Sequence, residues 1–418
     1  MVSTDQNQRK DVDVAIVGGG PSGLALAAEL KRCGVGRVVV LEREISAGGV
    51  PRHCGHYPFG VREYGRLLKG PEYAARNVDE AVKYGVEIRT GTTVTQLHAG
   101  GRLSLTTAKG LETLDAKRVV LCMGVRESTR AQRFIGGDRA QGVISTGALQ
   151  SLVYLKGMRP FRRPVIFGSE LVSFSAIETC RHLGMRPAAM VEELDRIVTH
   201  KIIQPYLAVR GVPLFAGVQN PKIIGSKTVE ALEFIDAAGV TQHIETDGII
   251  VSGRFRPEAA LLRRSPVEVD LGSGGPAIDQ FGQCSDSAYY SAGNILRPAE
   301  TSGWCWREGV VTAKRIADDL SSNGKPETGV ARLVVTSPEI QFALPQRLTR
   351  SDRSGGMDKM QIGLHEPVNG ILTATVDDRP VWTSPLNARP VRRIQRPLHD
   401  ILAANDGRDV KLSIGPRR

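Results

Sequence analysis

The residues of this chain best placed to do chemistry are glycines at the end of an apolar run. Val12-Asp13-Val14-Ala15-Ile16-Val17 leads into Gly18-Gly19-Gly20-Pro21-Ser22-Gly23. That spacing suits a turn passing close to a pyrophosphate. Gly18 permits the tight turn, Gly20 lets the backbone approach the phosphates, and Gly23 lets a helix pack closely on a strand. Glu42 follows 19 residues after Gly23, at the tip of a second apolar run. A carboxylate there accepts hydrogen bonds from a ribose. Arg52-His53-Cys54-Gly55-His56-Tyr57 is the densest cluster of reactive side chains. His53 or His56 can take a proton from an amine or stabilise a reduced cofactor. Cys54 offers a thiol beside them, and all three also suit a packing role.

These residues need a strand, a helix and a second strand to position them. Val12–Val17 reads as a buried strand, Leu24–Cys33 as a helix rich in Ala and Leu, and Arg37–Leu41 as the second strand. The helix N-terminus then presents free N–H groups and a positive dipole end to the phosphates. An irregular segment, Ser46–Gly70, follows, then a helix over Pro71–Tyr84, short strands, and the run Lys117–Gly124 ending in a glycine. The pattern then repeats: Pro164–Phe167 reads as a strand, Leu171–Leu183 as a helix, and Ala188–Glu192 as a strand. The first pattern resumes with Ala288–Ala292, Gly293-Asn294 and a helix from Trp304 to Leu320, then a linker over Ser321–Pro326. The remainder alternates β-prone runs with turns. The expected fold is α/β. A Rossmann-like domain (1–125 and 254–326) is interrupted by a second Rossmann-like domain (126–253), and a small β-rich domain (327–418) follows.

Composition narrows the function classes. The chain has 418 residues, 5 % aromatics and 46 glycines, which fits a multi-domain nucleotide binder with many tight turns. The formal net charge is +11, and the last 88 residues carry 14 Lys/Arg against 9 Asp/Glu. Without aromatic interleaving this argues against nucleic acid and for an acidic partner, an anionic substrate or a solvated face. The six cysteines form no CxxC, which points to a reducing cytoplasm and away from a cysteine-bound metal or cluster. The other histidines are isolated, so no metal site is expected. No run is long enough to span a bilayer, and the polar N-terminus carries no apolar leader.

The order of elements resembles the two-dinucleotide-domain flavoproteins, the thioredoxin-reductase-like and glutathione-reductase-like superfamily. The likeness covers residues 11 to about 320 and is carried by Gly18, Gly20, Gly23, Glu42, Gly48-Gly49, Leu121-Cys-Met-Gly124 and Ser291-Ala-Gly-Asn294. It implies FAD held by Gly18, Gly20, Pro21, Ser22, Gly23, Glu42, Arg43, Gly49, Val94, Gly124, Gly293, Asn294 and Ser302. Asn294 stands where the superfamily usually has Asp; an amide still bonds a hydroxyl and does not repel phosphate. The helix after Ser302 would aim its dipole at the flavin's pyrimidine edge.

Two departures set the chain apart. The thiol pairs of the disulfide-reducing branches are missing: Gly142–Leu149 has no cysteine, and Gly49–Cys54 has one. Exchange needs an attacking and a resolving thiol, so a disulfide reductase is not expected. The inserted domain's loop reads Gly168-Ser-Glu-Leu-Val-Ser173, with Glu170 where the backbone should meet a pyrophosphate and Ser173 in place of the third glycine. Charge repulsion and the extra side chain act against NAD(P)H there. Phe59–Ala74 together with Gly303–Gly309 resembles the FAD-binding subunits of bacterial multi-subunit dehydrogenases. Opine oxidase, hydrogen cyanide synthase and dye-linked proline or hydroxyproline dehydrogenases belong to that group. The resemblance implies a flavoprotein subunit that relays electrons during oxidation of a small amine, amino acid or alcohol. Its partners would be a second flavoprotein subunit together with a small iron–sulfur subunit. The alternatives are a self-standing NAD(P)H-dependent flavin reductase and a non-catalytic scaffold that keeps a nucleotide for stability.

Overall fold

The computed structural model describes residues 11–199, 201–298, 300–322, 330–350, 355–391, 394–404 and 407–417. The polar stretch 1–10 lies outside them, as does the expected linker from residue 323 onward. The chain divides into two compact units, one of Met1–Gly49, Arg76–Val125 and Pro257–Arg418, the other of Val50–Ala75 and Arg126–Arg256.

In the first unit β1 (Asp11–Val17) lies inside a seven-stranded sheet. Val14, Ala15 and Ile16 are fully buried. An unbroken apolar run of this kind marks a parallel strand covered on both faces. The helix α1 (Pro21–Arg32) crosses to β2 (Val38–Leu41), which pairs in parallel with β1. It begins three residues before the expected Leu24, because Pro21 at its first position is pre-set for helical φ and loses no needed N–H. Then come β3 (Glu87–Arg89), β4 (Thr93–Leu97), β5 (Arg102–Thr107) and β6 (Gly110–Leu121), giving the order β3-β2-β1-β6-β5-β4.

The second unit holds a five-stranded parallel sheet. Its strands are β7 (Val143–Ser145), β8 (Val165–Phe167), β9 (Ala189–Glu192), β10 (Leu214–Ala216) and β11 (Ile249–Val251), in the order β10-β9-β8-β11-β7. Its helix α2 (Leu171–His182) follows β8. A separate sheet of Gly136–Gly137, Gln219–Ile224, Ala231–Ile235 and Thr241–Glu245 packs on it through Ile223, Leu232 and Phe234.

The chain then returns to the first sheet with β12 (Tyr289–Ser291), parallel to β6. The long helix α3 (Ser302–Ser321) lies against α1. The approach is close: a Cβ on Gly309 would stand 2.3 Å from the Ser22 carbonyl oxygen. Beyond it, a five-stranded and a three-stranded sheet share a core that includes Leu333, Leu372, Leu412, Met360 and Ile362. This β-rich part is tied into the same unit. Phe342 and Leu344 join the core of Ala15, Val17 and Leu121, and Thr349 donates its hydroxyl to Asp279 at 3.1 Å. No helix among the described residues is long and apolar enough to cross a membrane.

Replacing Gly309 by Ala tests the helix contact. Alanine is the better helix former, yet the overlap with Ser22 outweighs that gain. We expect a net loss of about 1–3 kcal/mol in urea unfolding, the usual cost of overpacking. An unchanged or raised midpoint would mean the helices can part freely.

Candidate functional site

The turn between β1 and α1 is built almost entirely from main chain. Gly18 has φ +109, and a Cβ on it would lie 2.5 Å from the Cys122 oxygen. A Cβ on Gly23 would lie 2.1 Å from the Gly18 oxygen, so helix and turn touch backbone to backbone. Gly49, at φ +63, stands behind Gly20, where a Cβ on Gly49 would be 2.8 Å from the Gly20 Cα. Gly20 itself faces space: a Cβ there meets only the Gly49 Cα, at 3.9 Å. No side chain caps α1, and its first turn holds no acidic residue. Its leading N–H groups therefore need an acceptor from outside the helix.

Glu42 closes the side of this turn. It is buried, and it accepts from the Gly19 N–H at 2.9 Å and from the Glu44 N–H at 2.9 Å, one on each oxygen. Each oxygen keeps a lone pair for a ribose hydroxyl. Arg43 beside it is exposed and 3.8 Å from Glu44. Val94 is buried in the core with Leu97 and Leu105, which leaves only its main chain to meet a ligand. Gly124 takes φ +72, with open space where a Cβ would be.

The Ser291–Asn294 motif is organised around side-chain bonds to the main chain. Asn294 donates to the Glu300 carbonyl at 3.0 Å and accepts from the Glu300 N–H at 2.7 Å, so its carboxamide closes the turn beyond it. One N–H and one lone pair remain for a ligand. Gly293 packs its Cα side on Ser22, and its N–H donates to Glu308 at 2.8 Å. Arg297, 3 % exposed, grips the same Glu308 oxygen at 3.1 Å. Ser302 opens α3, whose N-terminus has no side-chain cap and no acid in its first turn. The buried pair Arg297–Glu308 holds this corner. Together the open Gly20, the uncapped α1 and the half-free Glu42 fit a dinucleotide with its pyrophosphate on the helix end.

The second unit repeats the turn with other residues. Gly168 has φ +118, and a Cβ on it would lie 2.3 Å from the Ser252 oxygen. Its N–H donates to Val191 at 2.7 Å, as Gly18 does to Leu41 at 2.9 Å. Glu192 receives the Ser169 hydroxyl at 2.6 Å, as Glu42 receives the Gly19 N–H. The difference lies at the phosphate position. Glu170 folds its carboxylate over to the Arg254 N–H at 2.6 Å. It sits so close that a Cβ on Gly253 would be 2.6 Å from its carboxyl carbon. A second carboxylate, Glu127, takes the N–H groups of Gly147 (2.7 Å) and Gly253 (3.1 Å). Arg133 is wholly buried and ties Glu193 to the Ser252 carbonyl. Ser173 replaces the third glycine and bonds Ser252 at 2.9 Å. The chain's own carboxylates thus take the N–H groups of Arg254, Gly253 and Gly147 beside the turn, while the N-terminus of α2, like that of α1, has no side-chain cap. Glu127 and Arg133 carry no motif, so spacing did not reveal them.

The reactive cluster falls at the start of the second unit's first segment. Cys54 is buried, 3.4 Å from the Val50 oxygen and 3.5 Å from Gln150 Oε1. Burial pushes its thiol up to about 12, so it stays protonated at neutral pH. The Tyr154 ring lies against Gly55, where any Cβ would be 2.1 Å from it. His56 contacts the Tyr57 carbonyl through Nδ1 at 3.0 Å and lies 5.5 Å from the Phe59 ring. His53 is half-buried, and Arg62 and Arg66 are exposed.

Two nucleotide-type turns in one chain, each ending a buried parallel strand, define the class of two-dinucleotide-domain proteins. The chain belongs to the pyridine nucleotide-disulphide oxidoreductase family, which matches residues 12–314 and binds FAD. Dihydrolipoyl dehydrogenase, mitochondrial, of Caenorhabditis elegans is 22 % identical over 388 residues, 82 % of this chain and 74 % of that protein. An opine oxidase subunit of Rhizobium meliloti is 22 % identical over 326 residues, 70 % of this chain and 60 % of that protein. The thioredoxin reductase structure of T. acidophilum superposes with a TM-score of 0.63 at 23 % identity, covering 75 % of this chain and 100 % of that one.

Glu127 and Glu170 give the second unit a pH signature. Desolvation raises both carboxyls above their ordinary value. Their protonated forms are favoured in the fold, so above the ordinary carboxylate range the folded chain holds more protons than the unfolded one. Stability therefore falls as pH rises through that range toward neutrality. In Glu170→Gln the melting temperature should fall less steeply with pH than in the native chain. Parallel curves would remove Glu170 from this role.

Proposed function

We propose that this chain is an FAD-dependent oxidoreductase that relays electrons as the flavoprotein subunit of a heteromeric dehydrogenase. Its substrate class is a small amine, amino acid or alcohol. The observation that carries the proposal is the contrast between the two turns. Both helix ends lack a side-chain cap, but the first turn has open space at Gly20, whereas the second carries Glu170 there, its carboxylate turned to the Arg254 N–H. Bound FAD supplies the hydride and electron chemistry. The chain's part is to hold it: Gly18, Gly20 and Gly23 admit the pyrophosphate to α1, Glu42 takes the ribose, and Gly49, Gly124, Gly293, Asn294 and Ser302 shape the rest. In this reading residues 1–125 and 254–326 are the FAD-binding domain, 126–253 is an inserted domain without nicotinamide, and 327–418 dock a partner. His53 and His56 handle protons; their place four and seven residues after Gly49 supports this.

The partners in this reading are a second flavoprotein and a small iron–sulfur protein, supported by the likeness to the opine oxidase subunit. Disulfide exchange is left out of the reading for a physical reason. All six cysteines are free, and burial raises the Cys54, Cys122, Cys180 and Cys305 thiols to about 12. A thiol so rarely ionised is a poor nucleophile at neutral pH.

Gly20→Ala separates cofactor binding from folding. Its methyl meets only one atom, in ordinary contact, so melting without cofactor should match the native chain. Flavin affinity should drop by roughly tenfold or more, because the methyl occupies the pyrophosphate's approach. Equal flavin content in the purified native and variant chains would sink the assignment of the first turn.

A further inference from the structure

The second unit has a concave surface that no nucleotide motif explains. It lies before β8, β9 and β10, at the N-terminal ends of three parallel strands. The Gly168–Glu170 turn follows the opposite end of β8. The cavity measures about 780 Å³, and four arginines line it: Arg159, Arg162, Arg163 and Arg186. We propose that it binds a small polyanion bearing two or more phosphate or carboxylate groups.

The first argument is charge without compensation. Among the described residues no carboxylate lines the cavity. From Lys156 to Ser169 the sequence carries four cations and no acid. Four guanidinium groups around one hollow repel one another, and an entering oxyanion relieves that repulsion. One acid, Asp247, is held by these segments. Its carboxylate accepts the main-chain N–H groups of both Arg162 and Arg163, which leaves the guanidinium heads facing outward.

The second argument is that the backbone under the arginines is fixed. The Arg186 N–H donates to the Arg162 carbonyl at 2.9 Å, stapling the two arginine segments together. Thr246 donates its hydroxyl to the Arg163 carbonyl at 2.9 Å. Arg159 is itself held, bonding the Phe161 carbonyl at 3.1 Å and the Gly184 carbonyl at 3.2 Å. Pro187 and Pro213 in the lining lock φ there, as Pro160 and Pro164 do within the arginine segment. Such preorganisation lowers the entropic cost of gripping a ligand.

The third argument concerns ligand type. Every cation in the described lining is arginine and none is lysine. The planar fork of arginine pairs with carboxylate and phosphate in a bidentate way, which a point charge cannot do. No aromatic side chain among the described residues lines the cavity, so nothing there stacks a nucleobase. The oxyanion groups themselves must carry the recognition.

Calorimetric titration of the full chain, saturated with FAD, with sodium tripolyphosphate tests this. Saturation with FAD keeps the α1 N-terminus occupied. One saturable site is expected, with affinity falling about tenfold or more in the double variant Arg162→Gln/Arg186→Gln. Both side chains are exposed, and a melting curve matching the native chain verifies that the variant folds. The charge-conserving double variant Arg162→Lys/Arg186→Lys should bind with intermediate affinity. Equal binding by native chain and glutamine variant overturns the proposal, as does no binding at all. Saturable binding of long polyglutamate by a chain that binds neither tripolyphosphate nor citrate also overturns it, since the cavity would then be a docking place for acidic protein.

Discussion

Main chain pressed against main chain at the first turn of α1 governs the rest of the first unit. At Gly18, Gly23 and Gly309 a single added carbon would collide with a carbonyl oxygen at 2.5 Å or less. At Gly49 it would strike the Gly20 Cα. These contacts bring two strands and two helices to one point with no side chains between them. The dipole and uncapped N–H groups of α1 then face open space at Gly20. A site for an anion follows from that geometry before any charged side chain is added.

The second unit shows what happens when the same frame is filled. Gly168 keeps the tight turn and Glu192 keeps the carboxylate at the strand tip. Glu170 and Glu127 then satisfy the N–H groups of Arg254, Gly253 and Gly147 from within the chain. A phosphate entering there would have to displace a buried carboxylate already hydrogen-bonded. Two acids in one place repel, and burial holds both toward protonation, which softens the repulsion. Arg133, bound to Glu193 and the Ser252 carbonyl, compensates further. The unit retains the architecture of a nucleotide fold, with two buried carboxylates bonded to main chain beside its turn.

Much of this was legible in the sequence, because strand–turn–helix is a local pattern. The apolar runs at 12–17 and 164–167 and the glycine spacing give the two frames directly. Glu170 could be read as an obstacle from its place alone. The expectation for Glu170 was charge repulsion and a side chain filling the approach; its bond to the Arg254 N–H joins residues far apart in the chain and was not foreseen. The ion pairs Arg297–Glu308 and Arg133–Glu193 were not legible, since they join residues with no fixed spacing. Asn294 was read as a ligand donor because of its motif. Its bonds to Glu300 depend on a turn six residues long that composition does not specify. The mixed sheet of the second unit was missed for a similar reason, its strands being short and partly exposed.

In the proposed reading the first turn takes FAD and Glu170 acts against a nicotinamide nucleotide at the second. The most direct test is anaerobic addition of NADH, then NADPH, to the flavin-loaded chain while its visible spectrum is recorded, beside the variant Glu170→Gly. The account predicts that the native flavin stays oxidised and that the variant binds NADH more tightly. Bleaching of the native flavin within seconds of mixing would contradict it and make the chain a self-standing NAD(P)H-dependent reductase.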